Sequence, residues 1–411
     1  MMETQQRVNT LIADHKRGHA LAQPFYTDPD IYQLEIDRIL TRNWIMVGHV
    51  SQVPNTGDFL VHEMAGESAI VTRDKDGQVQ AFANVCRHRG SAICLQSRGT
   101  VRKLVCPYHG WAYDLDGRLL AARAMLDTFE PVDHSLISIP IKILGGLIFL
   151  CFCDDPPSLD DAERDLSEPL SWFGMDELKV AAEETYSIAA NWKLAIENYQ
   201  ECYHCATSHP EYSQIHTRKV DPLRRVRLQH KMRERIPECG GGMRDIAIDF
   251  IDTFANPGQQ GYGYERVALF DGFQTGSRSG EPLAPLLGTM TDFDGGASDF
   301  VIGPFTFLLA YSDHVVAYVF APVDHGHCTC KIYWMVRADA IEGTDYNRDE
   351  LIWLWDVTTQ ADKRIIVNNW KGVCSKYYRP GPFSKMEEME QRFTEWVLQE
   401  IGSEHAVECR N

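Results

Sequence analysis

Two short stretches of the chain each offer one cysteine and one histidine at metal-ligand spacing. The first contains Cys86 and His88, and the second contains Cys106 and His109. Two thiolates on one iron and two imidazoles on the other can hold a [2Fe–2S] cluster, and the neutral imidazoles raise its reduction potential. Zinc also binds two cysteines with two histidines, but its usual pattern pairs like residues at close spacing. Because each half is mixed here, the pattern favours an electron-storing iron–sulfur centre.

Further along the chain, a second group of ligand residues has a different chemistry. Glu201 and His204 are three residues apart, so on a helix they would share one face. His209 is not in phase with them, but Pro210 disfavours helical geometry at His209. A helix that ends there would let the imidazole turn back towards His204. Two histidines with one carboxylate form a facial triad that holds iron and leaves positions open for O₂.

The carboxylate of this triad must come from elsewhere in the sequence. The helical-looking run from Trp353 to Trp370 contains two candidates. We expect Asp362 to be the ligand, with Asp356 as the second choice.

These two motifs resemble those of the catalytic α subunit of a Rieske non-haem iron oxygenase, and the resemblance extends over nearly all of the chain. It implies that the [2Fe–2S] Rieske cluster is held by Cys86, His88, Cys106 and His109. It also implies that a mononuclear Fe(II) is held by His204, His209 and Asp362.

The resemblance gives Glu201 a separate role, as a carboxylate that bridges the two metal sites, with Asn198 close to it. It implies a homotrimer in which His109 of one subunit approaches Glu201 of the next. Members that hydroxylate aromatic rings usually carry Asp at the bridging position. A glutamate at this position resembles the branch of the family that oxidises quaternary ammonium compounds. The segments at residues 23–26 and 378–382 resemble the same branch.

The activity implied by this branch is O₂-dependent N-demethylation, a monooxygenation that releases formaldehyde from a compound such as proline betaine. Glycine betaine and carnitine are alternative substrates, and an aromatic-ring hydroxylating dioxygenase is a further alternative on the same scaffold. A pure electron carrier is disfavoured because it needs no oxygen-binding iron. Electrons from NAD(P)H would come through a separate flavin and iron–sulfur reductase, since no nucleotide-binding glycine motif follows a strand here.

A quaternary ammonium group cannot donate N–H hydrogen bonds, so aromatic faces must recognise it. Aromatic residues near the iron motif or in the later strand-like runs are candidates for this wall, although each is also a typical core residue. They are Tyr203, Phe305, Phe307, Tyr311, Tyr318 and Trp334.

Hydrophobic periodicity indicates which elements position these motifs. Residues 1–40 predict helices that pack on the rest, residues 41–155 predict an all-β Rieske domain, and residues 156–411 predict the catalytic domain. The fold class is therefore α+β, with an antiparallel sheet surrounded by helices in the catalytic domain. Trp192–His204 is expected to be one helix. The glycine-rich residues 237–300 could be a lid over the active site, but an ordinary surface insertion is favoured slightly.

Composition excludes several classes of partner. The formal net charge is −18, so nucleic acid and anionic membranes are not expected to bind. No apolar run approaches the ~20 residues that cross a bilayer, and the polar N-terminus predicts a cytoplasmic protein. The cysteines outside the cluster motif are expected to be reduced thiols. A redox disulfide between Cys202 and Cys205 is a disfavoured interpretation, because no thioredoxin-like unit surrounds the pair.

Overall fold

The computed structural model describes residues 2–217, 222–239, 251–252 and 260–402. Short helices come first, three small antiparallel sheets follow, and a larger antiparallel sheet with helices around it makes up the rest. The predicted α+β class is confirmed. Within the described part of the chain, we find no helix with the length and apolar character that a membrane crossing requires.

The N-terminal helices contact the helix that precedes the iron motif. Tyr26 donates its hydroxyl hydrogen to Glu197 Oε1 at 2.8 Å. The indole N–H of Trp192 donates to Glu35 at 2.8 Å, and Lys193 forms a fully buried ion pair with the same carboxylate. These polar contacts hold the motif-bearing helix against α2 Pro24–Thr27 and α3 Pro29–Glu35. The other N-terminal elements are α1 Met2–Ala13 and a π-helical turn at Ile36–Leu40.

Ten short strands form the β domain that carries the cysteine–histidine motifs. They pair in three sheets, in the orders β1-β10-β9, β4-β3-β2-β5 and β6-β7-β8. Their bounds are β1 Ile45–His49, β2 Asp58–Met64, β3 Glu67–Arg73, β4 Val79–Ala83, β5 Arg98–Thr100, β6 Leu104–Val105, β7 Ala112–Tyr113, β8 Leu119–Ala121, β9 Ile141–Leu144 and β10 Leu147–Leu150. The two motifs follow β4 and β6, and a separate apolar core that includes Phe82, Trp111 and Tyr113 lies beneath them.

The catalytic part is built on a seven-stranded antiparallel sheet in the order β11-β17-β16-β15-β14-β13-β12. Its strands are β11 Leu178–Ile188, β12 Ile251–Asp252, β13 Tyr262–Ala268, β14 Gly296–Ile302, β15 Thr306–Ala310, β16 Val315–Asp324 and β17 His327–Arg337. The helices are α4 Asp160–Trp172, α5 Trp192–Gln200, α6 Cys205–Ser208, α7 Pro210–Ser213, α8 Pro222–Cys239, α9 Arg348–Val373 and α10 Glu388–Gly402.

The two faces of this sheet have different neighbours. One face contacts the β domain, where Tyr333 donates to the Val47 carbonyl and Thr306 accepts from the Met46 N–H, both at 3.1 Å. The other face lies against α5 and α9. Successive side chains of a strand point to opposite faces of the sheet, so only alternate residues of each strand reach the space between the sheet and α9.

The interpretation of residues 237–300 as a surface insertion is wrong for residues 262–268 and 296–300, which belong to strands of the catalytic sheet. Strand β13 pairs with β14 along its whole length, from Tyr262 opposite Ile302 to Ala268 opposite Gly296. Both strands are almost entirely buried within the sheet. Frequent turn residues obscured this pattern in the sequence. Most of residues 240–259, to which the lid alternative also applied, lies outside the described residues.

Candidate active site

The two cysteine–histidine motifs form matching turns. Gly90 donates its N–H to the Cys86 carbonyl at 2.9 Å, and Gly110 donates to the Cys106 carbonyl at 3.0 Å. Both glycines have positive φ, 75° and 72°, a backbone region that side chains disfavour. The two turns therefore share a backbone conformation, although the histidine follows its cysteine by two residues in the first turn and by three in the second.

The four side chains of these turns differ in exposure in the way that a Rieske cluster requires. Cys86 and Cys106 are buried, whereas His88 and His109 are exposed and their Nδ1 atoms converge to 3.1 Å. Burial opposes ionisation of Cys106, but hydrogen bonds from the Tyr108 backbone and its neighbours lower the pKa of this thiol. Buried thiolate donors with imidazoles at the rim fit a [2Fe–2S] cluster that exchanges electrons at the surface.

The helix that carries the iron motif ends earlier than its sequence predicts. Helix α5 stops at Gln200, and Glu201 has extended backbone angles, φ −116° and ψ 162°. The Glu201 carboxylate accepts the backbone N–H groups of Tyr203 and His204, so it competes with continuation of the helix. The prediction of one helix over Trp192–His204 is therefore wrong, and a turn brings Glu201 to His204.

Glu201 binds the outer nitrogen of a candidate metal ligand. Its Oε1 lies 2.5 Å from Nδ1 of His204. A carboxylate that accepts the Nδ1–H bond fixes the tautomer whose Nε2 can bind a metal. The side-chain amide of Asn198 lies 3.4 Å from the same ring. Glu201 and Asn198 thus contact the ligand and not the metal position itself.

His204 and His209 converge beside this turn with Asp362, which comes from a distant part of the chain. His209 lies between α6 and α7, with Pro210 as the first residue of α7, as the proline argument predicted. Its Nε2 lies 3.1 Å from Nε2 of His204 and 2.8 Å from Oδ1 of Asp362. The three donor atoms lie within 4.8 Å of one another, and two imidazoles with one carboxylate fit a mononuclear iron.

The charges of this group are mutually stabilised. Burial lowers the pKa of His204, but hydrogen bonds to Asp362 and Glu201 outweigh burial and raise the pKa to about 9. Burial also works against the ionised form of Asp362, yet the two histidines lower its pKa. A carboxylate held ionised in a buried site is prepared to bind a cation.

Asp356, the second candidate for the carboxylate, lies elsewhere. It accepts a hydrogen bond from the Tyr186 hydroxyl at 2.6 Å, on a strand at the edge of the sheet. Asp362 and Asp356 are both on α9, but their spacing directs them to different neighbours.

The structure contradicts the expectation that Cys202 and Cys205 are reduced thiols. Their sulfur atoms form a disulfide, with Cα atoms 5.0 Å apart. The pair spans the turn between α5 and α6, so the helix break that sequence reasoning missed brings the two side chains together. The eight other cysteines whose side chains the structure describes form no disulfide.

A cavity of about 1050 Å³, including the part open to solvent, adjoins the three metal-binding side chains. Of the six aromatic residues proposed from the sequence, Phe307 and Tyr318 line it. Phe305 instead packs on Trp192, and Tyr311 donates to His216 Nε2 on the far side of Tyr212. Trp334 is fully buried away from the cavity, and Tyr203 is an exposed residue of the turn.

Sequence reasoning missed several residues of the cavity wall. Tyr199, Tyr212 and Trp355 contribute further aromatic faces, and Glu265 and Asp299 contribute carboxylates from neighbouring strands. Tyr199 precedes Glu201 by two positions, so proximity in sequence was a usable signal for it. Tyr212 follows His209 by three positions, and Trp355 precedes Asp362 by seven on α9, a spacing that shares one helix face, so the sequence offered a signal for both. The packing of α7 on α9 brings their two rings together.

The paired motifs and the converged triad define a Rieske non-haem iron oxygenase, an oxidoreductase that contains a [2Fe–2S] cluster and a mononuclear iron and receives electrons from a separate reductase. Residues 43–130 match the Rieske [2Fe-2S] domain, and residues 175–403 match the ring hydroxylating alpha subunit (catalytic domain). The chain belongs to this family of oxygenase α subunits.

Two characterised relatives extend over most of the chain. The glycine betaine monooxygenase oxygenase subunit of Pseudomonas aeruginosa (strain UCBPP-PA14) is 33% identical, over 96% of this chain and 93% of that protein. The carnitine monooxygenase oxygenase subunit of Escherichia coli (strain K12) is 29% identical, over 89% of this chain and 87% of its own length.

Solved structures share the fold. The quaternary ammonium Rieske monooxygenase in complex with L-carnitine superposes with a TM-score of 0.70, covering 95% of this chain and 97% of that one at 21% identity. Naphthalene 1,2-dioxygenase from Rhodococcus sp. bound to indole has a TM-score of 0.65, covering 98% and 99% at 19% identity. At these identities the likeness concerns the fold alone.

Proposed function

We propose that this chain is the oxygenase component of a quaternary ammonium monooxygenase that removes an N-methyl group and releases formaldehyde. The aromatic wall beside the iron ligands is the observation that carries the proposal. Phe307, Tyr318 and Tyr199 form one contiguous cluster, with ring centroids 4.4 to 5.0 Å from Tyr199. Such faces attract a cation that has no N–H groups to donate.

Similarity to relatives supports the same substrate class. The relatives that match over most of the chain are named for glycine betaine and carnitine, both quaternary ammonium compounds. Within this class, proline betaine is our candidate substrate, with glycine betaine and carnitine as its competitors. Each carries the methylated nitrogen that the aromatic wall would hold.

The chain's own residues prepare the site for this reaction. Bound iron supplies oxygen activation, with electrons that arrive from the cluster. Glu201 orients His204 through Nδ1, and the buried His209 and the partly buried Asp362 complete the ligand set. The aromatic wall would hold the methyl group next to the metal and exclude water from it.

Electron delivery would cross a subunit boundary in a homotrimer. The rim of the cluster loops carries exposed apolar side chains, with Tyr108 59% and Leu95 75% exposed, beside the exposed Arg87 and Arg89. A rim of this kind needs a covering partner, because exposed apolar patches mark interaction sites. We propose that it meets the neighbouring subunit, so that the neighbour's cluster histidine approaches Glu201.

A formaldehyde assay with a competent reductase tests the substrate class. Proline betaine, glycine betaine and carnitine are supplied in turn, and an aromatic hydrocarbon serves as the contrasting substrate. Formaldehyde from at least one of the three, with no diol from the hydrocarbon, is the expected result. Diol formation without formaldehyde would place the enzyme among the aromatic-ring dioxygenases.

A further inference from the structure

The disulfide between Cys202 and Cys205 lies at the iron site. The two cysteines enclose Tyr203 and His204, and both sulfur-bearing residues line the cavity. The turn they close is the one in which Glu201 binds His204. The disulfide is therefore built into the segment that positions a metal ligand.

One of the two sulfur atoms lies close to the metal position. Cys205 Sγ is 4.0 Å from Nε2 of His204. That nitrogen is the atom that approaches His209 Nε2 at 3.1 Å and Asp362 Oδ1 at 3.2 Å. A small shift of the Cys205 side chain would bring its sulfur into the same ligand group.

The chemistry of this sulfur depends on its redox state. A thiolate is a strong ligand for iron and zinc, whereas a sulfur in a disulfide has no thiolate to offer. A facial triad works only while iron positions stay open for O₂. A sulfur ligand would occupy one of these positions and change an N₂O donor set to N₂OS.

We propose that the Cys202–Cys205 disulfide is a redox switch that keeps the Cys205 sulfur off the iron. Reduction by a protein dithiol would form two thiols here and one disulfide in the reductant. The released Cys205 thiol then gives its proton to solvent as the sulfur binds the metal, and the sulfur competes with oxygen for one of the open positions. This inference rests on the iron site and is independent of which compound is demethylated.

The position of the pair fits such exchange. Thiol–disulfide exchange requires access to a sulfur atom. Cys202 is partly exposed and next to the exposed Tyr203, while Cys205 is buried on the metal side. A reductant can thus attack Cys202 from outside and release Cys205 inwards.

The first test counts thiols in the native, iron-loaded enzyme. One sample is left untreated and one is treated with a phosphine, which takes up the oxygen of one water as the disulfide becomes two thiols. Both samples are then unfolded and alkylated. Peptide mass spectrometry should show Cys202 and Cys205 unlabelled before treatment and labelled after it. Full labelling in the untreated enzyme would overturn the proposal.

The second test uses nitric oxide as a probe of the open iron position, read as the EPR signal of the high-spin iron–nitrosyl. Phosphine treatment should lower this signal about tenfold, the scale of effects seen when metal surroundings are altered. The iron content should stay unchanged, because the sulfur adds a ligand. An undiminished signal in fully reduced enzyme, or loss of the iron, would contradict the switch.

Single substitutions distinguish the role of Cys202 from that of Cys205. Cys202→Ser leaves the Cys205 thiol permanently free and should give the low signal without any reductant. Cys205→Ser removes the incoming ligand, so its signal should be the same before and after reduction. Cys374→Ser changes an exposed free cysteine and should respond to reduction as the wild type does. A Cys205→Ser enzyme that still loses its signal on reduction would exclude sulfur ligation.

Discussion

Glu201 Oε1 lies 2.5 Å from Nδ1 of His204, and the two residues meet in a turn after helix α5 has ended at Gln200. The same carboxylate accepts the backbone N–H of His204 at 3.1 Å. It therefore fixes both the ring and the backbone of a metal ligand. If α5 continued through residue 204, only the three-residue spacing along the helix would bring the Glu201 side chain close to His204.

Glu201→Gln should separate electron transfer from metal binding. The amide is similar in size but carries no charge, so its coupling to the His204 imidazole is weaker. We expect the cluster and the iron to remain, with electron transfer between them slowed about 10- to 100-fold. Stopped-flow absorbance of the reduced cluster, mixed with O₂ and substrate, measures this rate. Glu388→Gln, at a carboxylate 72% exposed on α10, is the matched control. Equal rates in the two variants would remove Glu201 from the electron path.

The two aspartates of α9 should behave differently when changed to asparagine. Asp362→Asn removes an anionic ligand, and iron content should fall from about three atoms per chain to about two. Asp356→Asn only weakens the hydrogen bond from Tyr186, which costs about 1 kcal/mol of folding stability, and should keep all of the iron. Iron analysis of both purified proteins checks this. Loss of iron in the Asp356 variant alone would reverse the assignment.

Phe307 and Phe305 offer a matched test of the aromatic wall. Phe307→Leu removes a cation–π face worth about 0.5–2 kcal/mol, so KM for the ammonium substrate should rise about 2- to 30-fold. Phe305 packs on Trp192, with ring centroids 5.7 Å apart. Phe305→Leu should lower thermal stability and leave KM close to the wild-type value. Steady-state formaldehyde kinetics together with melting curves distinguish the two effects, and an unchanged KM in Phe307→Leu would argue against this wall.

Glu390 should make folding stability depend on pH. Burial and nearby carboxylates raise its pKa to about 9, and neither oxygen has a hydrogen-bond partner among the described residues. Between pH 4.5 and 9 only the folded state keeps this proton, so stability falls as pH rises, by up to about 1.4 kcal/mol per unit. Glu390→Gln should therefore stabilise the protein at pH 8 and have little effect near pH 4.5. Denaturant midpoints of both proteins across this range measure the difference, and parallel curves would contradict the raised pKa.

The candidate metal ligands could be predicted because their residue types and close spacing are typical of metal sites. Cys86 with His88, and Cys106 with His109, can be recognised from residue type and spacing alone. Pro210 likewise predicted the change of direction at His209. In each case a local rule of geometry acts within a few residues.

The features that were missed depend on tertiary contacts or on competition between local structures. The end of α5 results from Glu201 accepting N–H groups that the helix would otherwise use. The disulfide follows from that break. Trp355 shares a face of α9 with Asp362, but the contact of its ring with Tyr212 depends on the packing of α7 on α9. Strand β13 was hard to recognise in the sequence because turn residues surround it, although its pairing with β14 is regular.

A single-turnover experiment tests the central claim most directly. The enzyme is loaded with cluster and iron, reduced chemically, freed of excess reductant, and mixed with O₂ and proline betaine, glycine betaine or carnitine. Oxidation of the cluster, followed by rapid-freeze EPR, should coincide with formaldehyde release for at least one substrate. Cluster oxidation with no formaldehyde from any of the three, or no Rieske-type signal in the reduced protein, would contradict it.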